Sequence, residues 1–177
     1  MSNEEIYMED GVQLEQDDSG LTLDDFGQGN FVNNPPVGQT LIFTVLKIET
    51  NKNTKGKNKD TEKEFDIGLK YKDGHVTRYD IETDLGVYTI KNWEIFFKLF
   101  GSKGTPGALV EYAKKHNKSF KGAKISITRL LDGAHANYKI EDLAKIIGKN
   151  IEETKIYQES IKTAIKNSTL FEVKLLE

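Results

Sequence analysis

The order of apolar and polar positions predicts three strands in the first half of the chain. Residues 41–48 are almost continuously apolar, with β-branched and aromatic side chains, which is typical of a strand buried on both faces for part of its length. In residues 65–72 apolar and polar side chains alternate, as in a half-exposed strand. Asp73-Gly74 favours a tight turn into a return strand at Val76–Thr83, which continues after a kink through residues 87–90.

Helical periodicity follows in the middle of the chain. Asn92 is expected to cap a first helix that ends at Gly101, and Thr105 to cap a second helix with Pro106 in its first turn. The aromatic residues of the first helix fall on overlapping turns, so we expect them to plug the core of the domain rather than to form a ligand cage. They are Trp93, Phe96, Phe97 and Phe100.

The last third of the chain is predicted to begin with two strands, at residues 123–131 and 136–140, joined by a turn at Asp132-Gly133. Two helices follow, separated at Gly148, and a closing strand is predicted at residues 171–175. The whole order is therefore strand, loop, two strands, helices, two strands and a helical tail.

Five strands with helices between the third and the fourth is the order of an OB-fold, a small Greek-key barrel that binds oligonucleotides and oligosaccharides. We therefore predict a mainly β, α+β protein with an OB-fold core at residues 39–140 and a helical extension with a closing strand at 141–177. A generic α+β sandwich is the alternative architecture. A doubly wound sheet is disfavoured because strands and helices do not alternate strictly.

Charge divides the chain into two regions. Residues 1–38 contain nine acidic residues and neither lysine nor arginine, whereas residues 39–177 contain 19 acidic and 25 basic residues and carry +6. A segment with so few periodic apolar positions cannot offset its ordering entropy, so we expect residues 1–38 to be a largely disordered acidic arm. Such an arm is either a solubilising leader or a polyanion mimic that lies over a basic groove or recruits a basic partner.

Several classes of site are excluded or disfavoured by composition. The chain has no cysteine, which excludes disulfides, thiolate metal sites and cysteine nucleophiles, and its three histidines are scattered. No phosphate-binding glycine loop or serine nucleophile elbow is present. No cofactor and no catalytic residue are therefore predicted. No apolar run reaches the length of a membrane span, and the N-terminus is acidic, so we expect a soluble, intracellular protein.

Two metal-dependent alternatives have some basis in the sequence. Acidic side chains at spacing two on one predicted strand face, Asp80, Glu82 and Asp84, could hold Mg²⁺, although such a row is more often solvated. Glu172-Val173-Lys174 has the Glu-x-Lys form of some nucleases, but a companion aspartate is not evident.

Three features lie within residues 38–140: a lysine-rich loop before Phe65, a helix from Trp93 to Phe100-Gly101, and Gly122-Ala123-Lys124-Ile125-Ser126-Ile127-Thr128-Arg129 followed by Asp132-Gly133. In these features the chain resembles the OB-fold single-stranded DNA-binding proteins encoded by phages and mobile elements, over about residues 38–140. It implies non-catalytic coating of single strands in replication or recombination, in the cytoplasm of a bacterial or archaeal host. The acidic arm is N-terminal here, whereas bacterial relatives usually carry an acidic tail at the C-terminus.

Single-strand binding needs cations for the phosphates and flat rings for the bases. The residues that we predict to supply them are Lys52, Lys55, Lys57, Lys59, Lys63, Lys70, Tyr71, Lys72, Arg78, Tyr79, Arg129 and His135. The lysine loop could instead be a solvated connection, and Tyr79 faces the core if Ile81 does. The rival function is a protein-interaction module that docks through the helix at residues 151–166 and the acidic arm, without binding nucleic acid. DNA and RNA are not distinguished at this level.

Overall fold

The computed structural model describes residues 31–176, and in these residues the protein is a mixed α+β structure with a curled half-barrel sheet and four α-helices. The strands are β1 (Phe31–Val32), β2 (Thr40–Asn51), β3 (Lys55–Lys57), β4 (Glu64–Asp66), β5 (Leu69–Lys70), β6 (Val76–Thr83), β7 (Gly86–Thr89), β8 (Lys124–Arg129) and β9 (Phe171–Leu175). The helices are α1 (Trp93–Phe100), α2 (Ala108–Lys115), α3 (Ile140–Ile147) and α4 (Ile151–Asn167), with a 3₁₀ helix at Gly133–Asn137.

The long strand β2 organises the main sheet, whose strand order is β1-β7-β6-β2-β8-β9. The first half of β2 pairs with β8 from Thr40 to Thr44, and its second half pairs with β6 from Val45 to Asn51. The register shifts between Val45 and Lys47. A bulge of this kind bends the strand and increases its twist, which explains why the sheet curls. Strands β3 and β4 form a separate two-stranded sheet.

The core lies between the concave face of this sheet and α1. Ile95 and Leu99 of α1 are fully buried, and Asn92 caps the helix by accepting the Ile95 N–H at 3.1 Å. The largest buried side chains are Trp93, Tyr88, Phe43, Phe171, Leu69 and Ile81. Each such side chain contributes about 1.5–3 kcal/mol relative to an exposed position.

The C-terminal part of the chain belongs to this core, so the predicted boundary at residue 140 is wrong. Leu170 and Phe171 are buried in the same apolar cluster as α1. The buried carboxylate of Glu94 accepts the N–H groups of Leu170 and Phe171 at 3.2 and 2.7 Å, and Lys98 Nζ donates to it at 2.8 Å. This clamp fastens the start of β9 to α1, and β9 then pairs with β8.

The N-terminal boundary also differs from the prediction. Phe31 pairs with Val87 at the edge of the sheet, Tyr88 donates from its hydroxyl to Asn34 Oδ1 at 2.5 Å, and the Gly38 N–H donates to the Arg129 carbonyl at 2.7 Å. Residues 31–38 are therefore part of the folded body rather than of the arm. Residues 1–30, on which the rest of the arm prediction falls, lie outside the described residues.

Many predicted elements are confirmed, among them β2, β6, α1, α4 and the closing strand β9. The predicted strand at residues 65–72 is instead broken into β4 and β5. Gly68 lies at φ 129°, and a side chain there would collide with the carbonyl oxygen of Thr77. The chain therefore has to leave the regular strand at this position, and the alternating pattern could not reveal that.

Two other predictions near helix starts are wrong. The predicted strand at residues 136–140 is occupied by the 3₁₀ helix and the start of α3, because Asp132 accepts the Ala134 N–H at 3.0 Å and caps the 3₁₀ turn. Helix α2 is capped at Gly107 rather than at Thr105. Gly107 lies against the backbone of Leu99, where a Cβ would collide. Within residues 31–176, no helix combines the length and the apolar character needed to cross a bilayer.

Candidate nucleic-acid interface

The lysine hairpin, residues 52–66, follows directly after β2. Its strands pair Lys55 with Asp66 and Lys57 with Glu64, and the ring of Phe65 covers Gly56 so closely that a Cβ would not fit there. The five predicted lysines of this hairpin, Lys52, Lys55, Lys57, Lys59 and Lys63, are all exposed. Lys55 and Lys57 are on β3, Lys52 precedes that strand, and Lys59 and Lys63 are in the loop that leads to β4.

Acidic side chains are interleaved with these lysines. Asp66 forms an ion pair with Lys55 and lies 3.6 Å from Lys70 Nζ. The hydrogen bond from Lys55 to Asp66, followed by their Coulomb attraction, raises the pKa of the Lys55 ammonium. Asp60, Glu62 and Glu64 are exposed on the same hairpin, so its net charge is only +1.

The turn after the hairpin carries Lys70, Tyr71 and Lys72. The ring of Tyr71 stacks on His75 with centroids 4.0 Å apart and planes 7° from parallel, and Trp93 meets it edge-on at 4.9 Å. Trp93 Nε1 also donates to the Lys70 carbonyl at 2.9 Å, which fastens the turn to the core. Lys72 is exposed, whereas Lys70 and Tyr71 are half-buried.

Arg78 is buried, contrary to the prediction that it would reach phosphates. Only 7% of Arg78 and 5% of Asp80 are exposed. Arg78 Nε donates to Asp80 Oδ1 at 3.0 Å, and its Nη1 donates to the Asn53 carbonyl at 2.8 Å. Asn51 and Thr89 donate to the same Asp80 carboxylate at 3.1 and 2.7 Å. The network joins β2, β6 and β7. Its role is structural, because these side chains are already hydrogen-bonded to one another or to the backbone.

Tyr79 begins a row of half-buried rings, here called the aromatic row, which consists of Tyr79, Phe96, Phe100 and Phe120. Tyr79 lies 5.3 Å from Phe96, Phe96 lies 5.0 Å from Phe100, and Phe100 meets Phe120 edge-on at 6.1 Å. Burial, with a smaller effect of Tyr71, raises the pKa of the Tyr79 phenol. The row therefore offers partly accessible aromatic surface, although α1 was predicted to bury its rings.

Arg129 and His135 lie together at the start of the insertion between β8 and β9. Arg129 Nη2 is 3.4 Å from Asp132, and its guanidinium lies 5.9 Å from the centre of the Phe171 ring. His135 Nε2 is 3.6 Å from the other Asp132 oxygen, and its Nδ1 lies 3.1 Å from the Tyr157 hydroxyl. Both side chains are half-buried, so here they chiefly hold the insertion against the sheet.

A second basic region was missed at the level of the sequence. Between Glu111 and Asp132 the chain has six basic residues and no acidic residue. Five of the six are lysines that are exposed around the end of α2 and the start of β8: Lys114, Lys115, Lys118, Lys121 and Lys124. A count of acidic residues along the chain would have found this segment, whereas a search for lysine clusters favours the hairpin.

The metal-dependent alternatives find no support in the geometry. Asp80 is fully engaged by its neighbours, and Asp84 accepts the Thr44 N–H at 2.7 Å. Glu172 and Lys174 on β9 pair with each other at 3.5 Å. In residues 31–176 no group of three or more histidine, aspartate or glutamate side chains could hold a metal ion.

A groove of about 720 Å³ lies between α1, α2, the end of α4 and β9. Its polar centre is the clamp of Glu94 and Lys98, whose hydrogen bonds are directed to the backbone of β9 and of the turn before it. Among the described residues that line the groove, none is a predicted binding residue. The groove adjoins the candidate interface at Phe171, over whose ring the Arg129 guanidinium lies.

Comparisons of this chain with protein-family models, with curated proteins and with solved structures find no match.

Proposed function

We propose that this chain is a non-catalytic protein that binds single-stranded nucleic acid, largely independently of sequence, on an OB-like half-barrel. The observation that carries the proposal is the strand order. In a Greek key, three hairpin-connected strands are followed by a fourth that returns beside the first, in the spatial order 4-1-2-3. Strands β8, β2, β6 and β7 lie in this order, and β9 adds a fifth strand beside β8.

The connections support the same interpretation. Helices α1 and α2 fall between the third and fourth strands of this scheme, β7 and β8. In OB-folds the loop between strands one and two and the loop between strands four and five flank the oligonucleotide-binding face. Here the first loop is the lysine hairpin with the turn after it, and the second is the insertion that begins with Arg129 and His135. The fifth strand of the proposed barrel is thus β9 rather than residues 136–140.

Binding would combine two physical terms. Exposed lysines neutralise phosphates and release counterions, which gives affinity without sequence preference and a steep dependence on salt. Half-buried rings such as Tyr79, Phe96 and Phe100 would stack on bases, each worth about 1–3 kcal/mol. We propose that the protein coats single strands exposed in replication or recombination, and that no bond is made or broken in the process.

The test is a fluorescence-anisotropy titration of a labelled oligothymidylate of about 20 nucleotides with the full chain, at several salt concentrations between about 0.05 and 0.3 M. We expect saturable binding, a linear fall of log K with log salt at about 0.7 per phosphate contact, and weaker binding to a duplex of equal length. The same titration with an RNA oligonucleotide measures the preference between DNA and RNA. No binding at about 0.05 M salt would refute the proposal.

A specific observation favours one second candidate, a protein-interaction module. Ile146, Ile151 and Ile156 of α3 and α4 are 59%, 42% and 72% exposed. Large exposed apolar side chains on neighbouring helices are typical of docking surfaces. If this is the main function, sedimentation should reveal association that Ile156→Glu abolishes, while the oligonucleotide titration stays flat.

A further inference from the structure

The basic segment, defined as Lys114, Lys115, Lys118, Lys121 and Lys124, is a run of five lysines with no acidic residue between its first and last members. All five ammonium groups are exposed. The ion pairs within residues 31–176 include none of them. Lysines that are close along the chain and have no ion-pair partner repel one another, and a polyanion relieves that repulsion on binding.

The backbone that carries these lysines is held in place by the core. The buried ring of Tyr112 stacks on His116 at 3.9 Å, and its hydroxyl donates to the Lys121 carbonyl at 3.0 Å. The Lys118 N–H donates to the Ala113 carbonyl at 2.8 Å. Because the backbone of the segment is fixed before any ligand arrives, little backbone ordering cost would be added on binding.

An aromatic ring lies among the lysines. Phe120 is half-buried, and its inner edge packs against Phe100 as the last member of the aromatic row. The opposite end of the row, Tyr79, is on β6 where this strand pairs with the end of β2. The row therefore runs from the basic segment towards the lysine hairpin.

The spacing of the two basic regions suits one strand of nucleic acid. The Gly122 N–H donates to the Val45 carbonyl at 2.8 Å, and the lysine hairpin begins after Asn51, six residues further along β2. Because β2 bends at its bulge, this separation is at most about 20 Å, the length of six residues at about 3.3 Å each. That distance spans about six nucleotides at the rise of a fully stacked strand, about 3.4 Å each, and fewer in an extended strand, comparable to the site sizes of about 4–16 nucleotides known for OB-folds.

We propose that the basic segment and Phe120 form a second contact surface for the same single strand that the lysine hairpin binds. The lysines neutralise phosphates, Phe120 stacks on a base, and the aromatic row lies along the path between the two surfaces. This inference rests on the proposed function and adds to it a surface outside the loops that flank the binding face of an OB-fold.

The first test compares two triple variants with equal charge change in the full chain. Lys115→Gln, Lys118→Gln and Lys121→Gln remove three charges of the basic segment. Lys145→Gln, Lys149→Gln and Lys155→Gln remove three exposed lysine charges from α3, α4 and the turn between them. With oligothymidylate of about 20 nucleotides, we expect the first variant to lose about 2 units of salt slope and to bind at least about tenfold more weakly at about 0.1 M salt.

The affinity of the control variant for oligothymidylate should stay within about threefold of that of the wild type, since its three lysines lie outside the proposed contact surfaces. Equal losses in the two triple variants, with binding by the wild type intact, would overturn the second surface and leave the proposed function standing. Absence of binding by the wild type would instead remove the proposed function and this inference together.

The second test measures directly whether a base stacks on the side chain at residue 120. The chain has one tryptophan, Trp93, which is buried, so Phe120→Trp introduces a reporter whose emission can be measured against a constant background. We expect oligothymidylate to quench the added emission at the same protein-to-DNA ratio at which anisotropy saturates. Binding by this variant without quenching would show that no base stacks at residue 120.

Discussion

The lysine hairpin and the basic segment carry the same number of lysines but differ in what surrounds them. The hairpin interleaves five lysines with Asp60, Glu62, Glu64 and Asp66, and Asp66 already pairs with Lys55. The basic segment has five lysines and no acidic residue. The number of lysines is therefore a poor measure of a phosphate-binding surface, because neighbouring carboxylates neutralise the field that phosphates would meet.

The two regions also differ in how they are attached. Strands β3 and β4 form a sheet of their own beside the main sheet. The basic segment is bonded to β2 through Gly122 and is supported from below by the buried ring of Tyr112. The core therefore holds the backbone of the basic segment directly, whereas the strand pairing of β3 and β4 is separate from that of the main sheet.

The largest expected effect concerns this difference in attachment. Tyr112→Ala should lower the free energy of unfolding by about 3–5 kcal/mol, because it empties a buried aromatic site. Phe65→Ala in the hairpin should cost only about 1 kcal/mol, because its ring is half-buried against a local sheet. Urea denaturation of both variants measures the contrast, and similar losses would show that the hairpin is as firmly integrated as the basic segment.

Deleting the acidic arm is a further test of how charge controls binding to the two basic regions. Deleting residues 1–30 removes nine carboxylates while keeping β1, and tethered anions compete with DNA at effective concentrations in the millimolar range. We expect oligothymidylate to bind about tenfold more tightly at about 0.05 M salt, with the gain fading at about 0.3 M as salt screens the arm.

If the arm competes with DNA for the basic segment, deleting the arm should increase the affinity of a hairpin variant with Lys55, Lys57 and Lys59 changed to glutamine. The increase should be smaller for the variant with Lys115, Lys118 and Lys121 changed to glutamine. Weaker binding after the deletion would mean that the arm helps to build the site.

The hairpin lysines should contribute less than those of the basic segment. Changing Lys55, Lys57 and Lys59 together to glutamine should reduce the salt slope by about 1.4 units, the equivalent of two phosphate contacts, because Lys55 is already paired with Asp66. The titrations described above measure the slope. A loss equal to or greater than that of the basic-segment variant would reverse the ranking of the two surfaces.

The smallest effect is expected when the hairpin acids are neutralised. Asp60→Asn, Glu62→Gln and Glu64→Gln raise the hairpin charge from +1 to +4. We expect binding to tighten about threefold at about 0.05 M salt, since exposed charges act weakly at high dielectric. No change in affinity would indicate that the strand does not pass over the hairpin.

Local patterns predicted the elements whose stabilising interactions are themselves local. Helix α1 follows from the Asn92 cap and the stop at Gly101, and α4 begins where Asn150 accepts the Glu153 N–H at 2.8 Å. Where a distant backbone decides the conformation, the pattern failed. The strand at residues 65–72 is broken at Gly68 because Thr77, nine residues later, occupies the space of a side chain.

The candidate site was predictable only in part, for the same reason. The exposure of the hairpin lysines follows from a polar loop between two strands. The burial of Arg78 does not, because it depends on Asp80, Asn51 and Thr89, which come together only when β2, β6 and β7 pair. Counting acidic residues along the sequence would have identified the basic segment. The sequence does not show that its backbone is held by the Tyr112 hydroxyl, because that contact depends on tertiary packing.

The sequence by itself determined the acidic and basic division of the chain, the long apolar strand, the aromatic helix and the lysine loop. These features depend on composition or on residues within one or two turns of each other. Only the tertiary structure decided that β9 stands beside β8, that Glu94 fastens it to α1, and that two basic regions lie at either end of one aromatic row. Contacts between residues far apart in the chain leave no local periodicity, because the free energy that selects them is gained only when the sheet has assembled around its core.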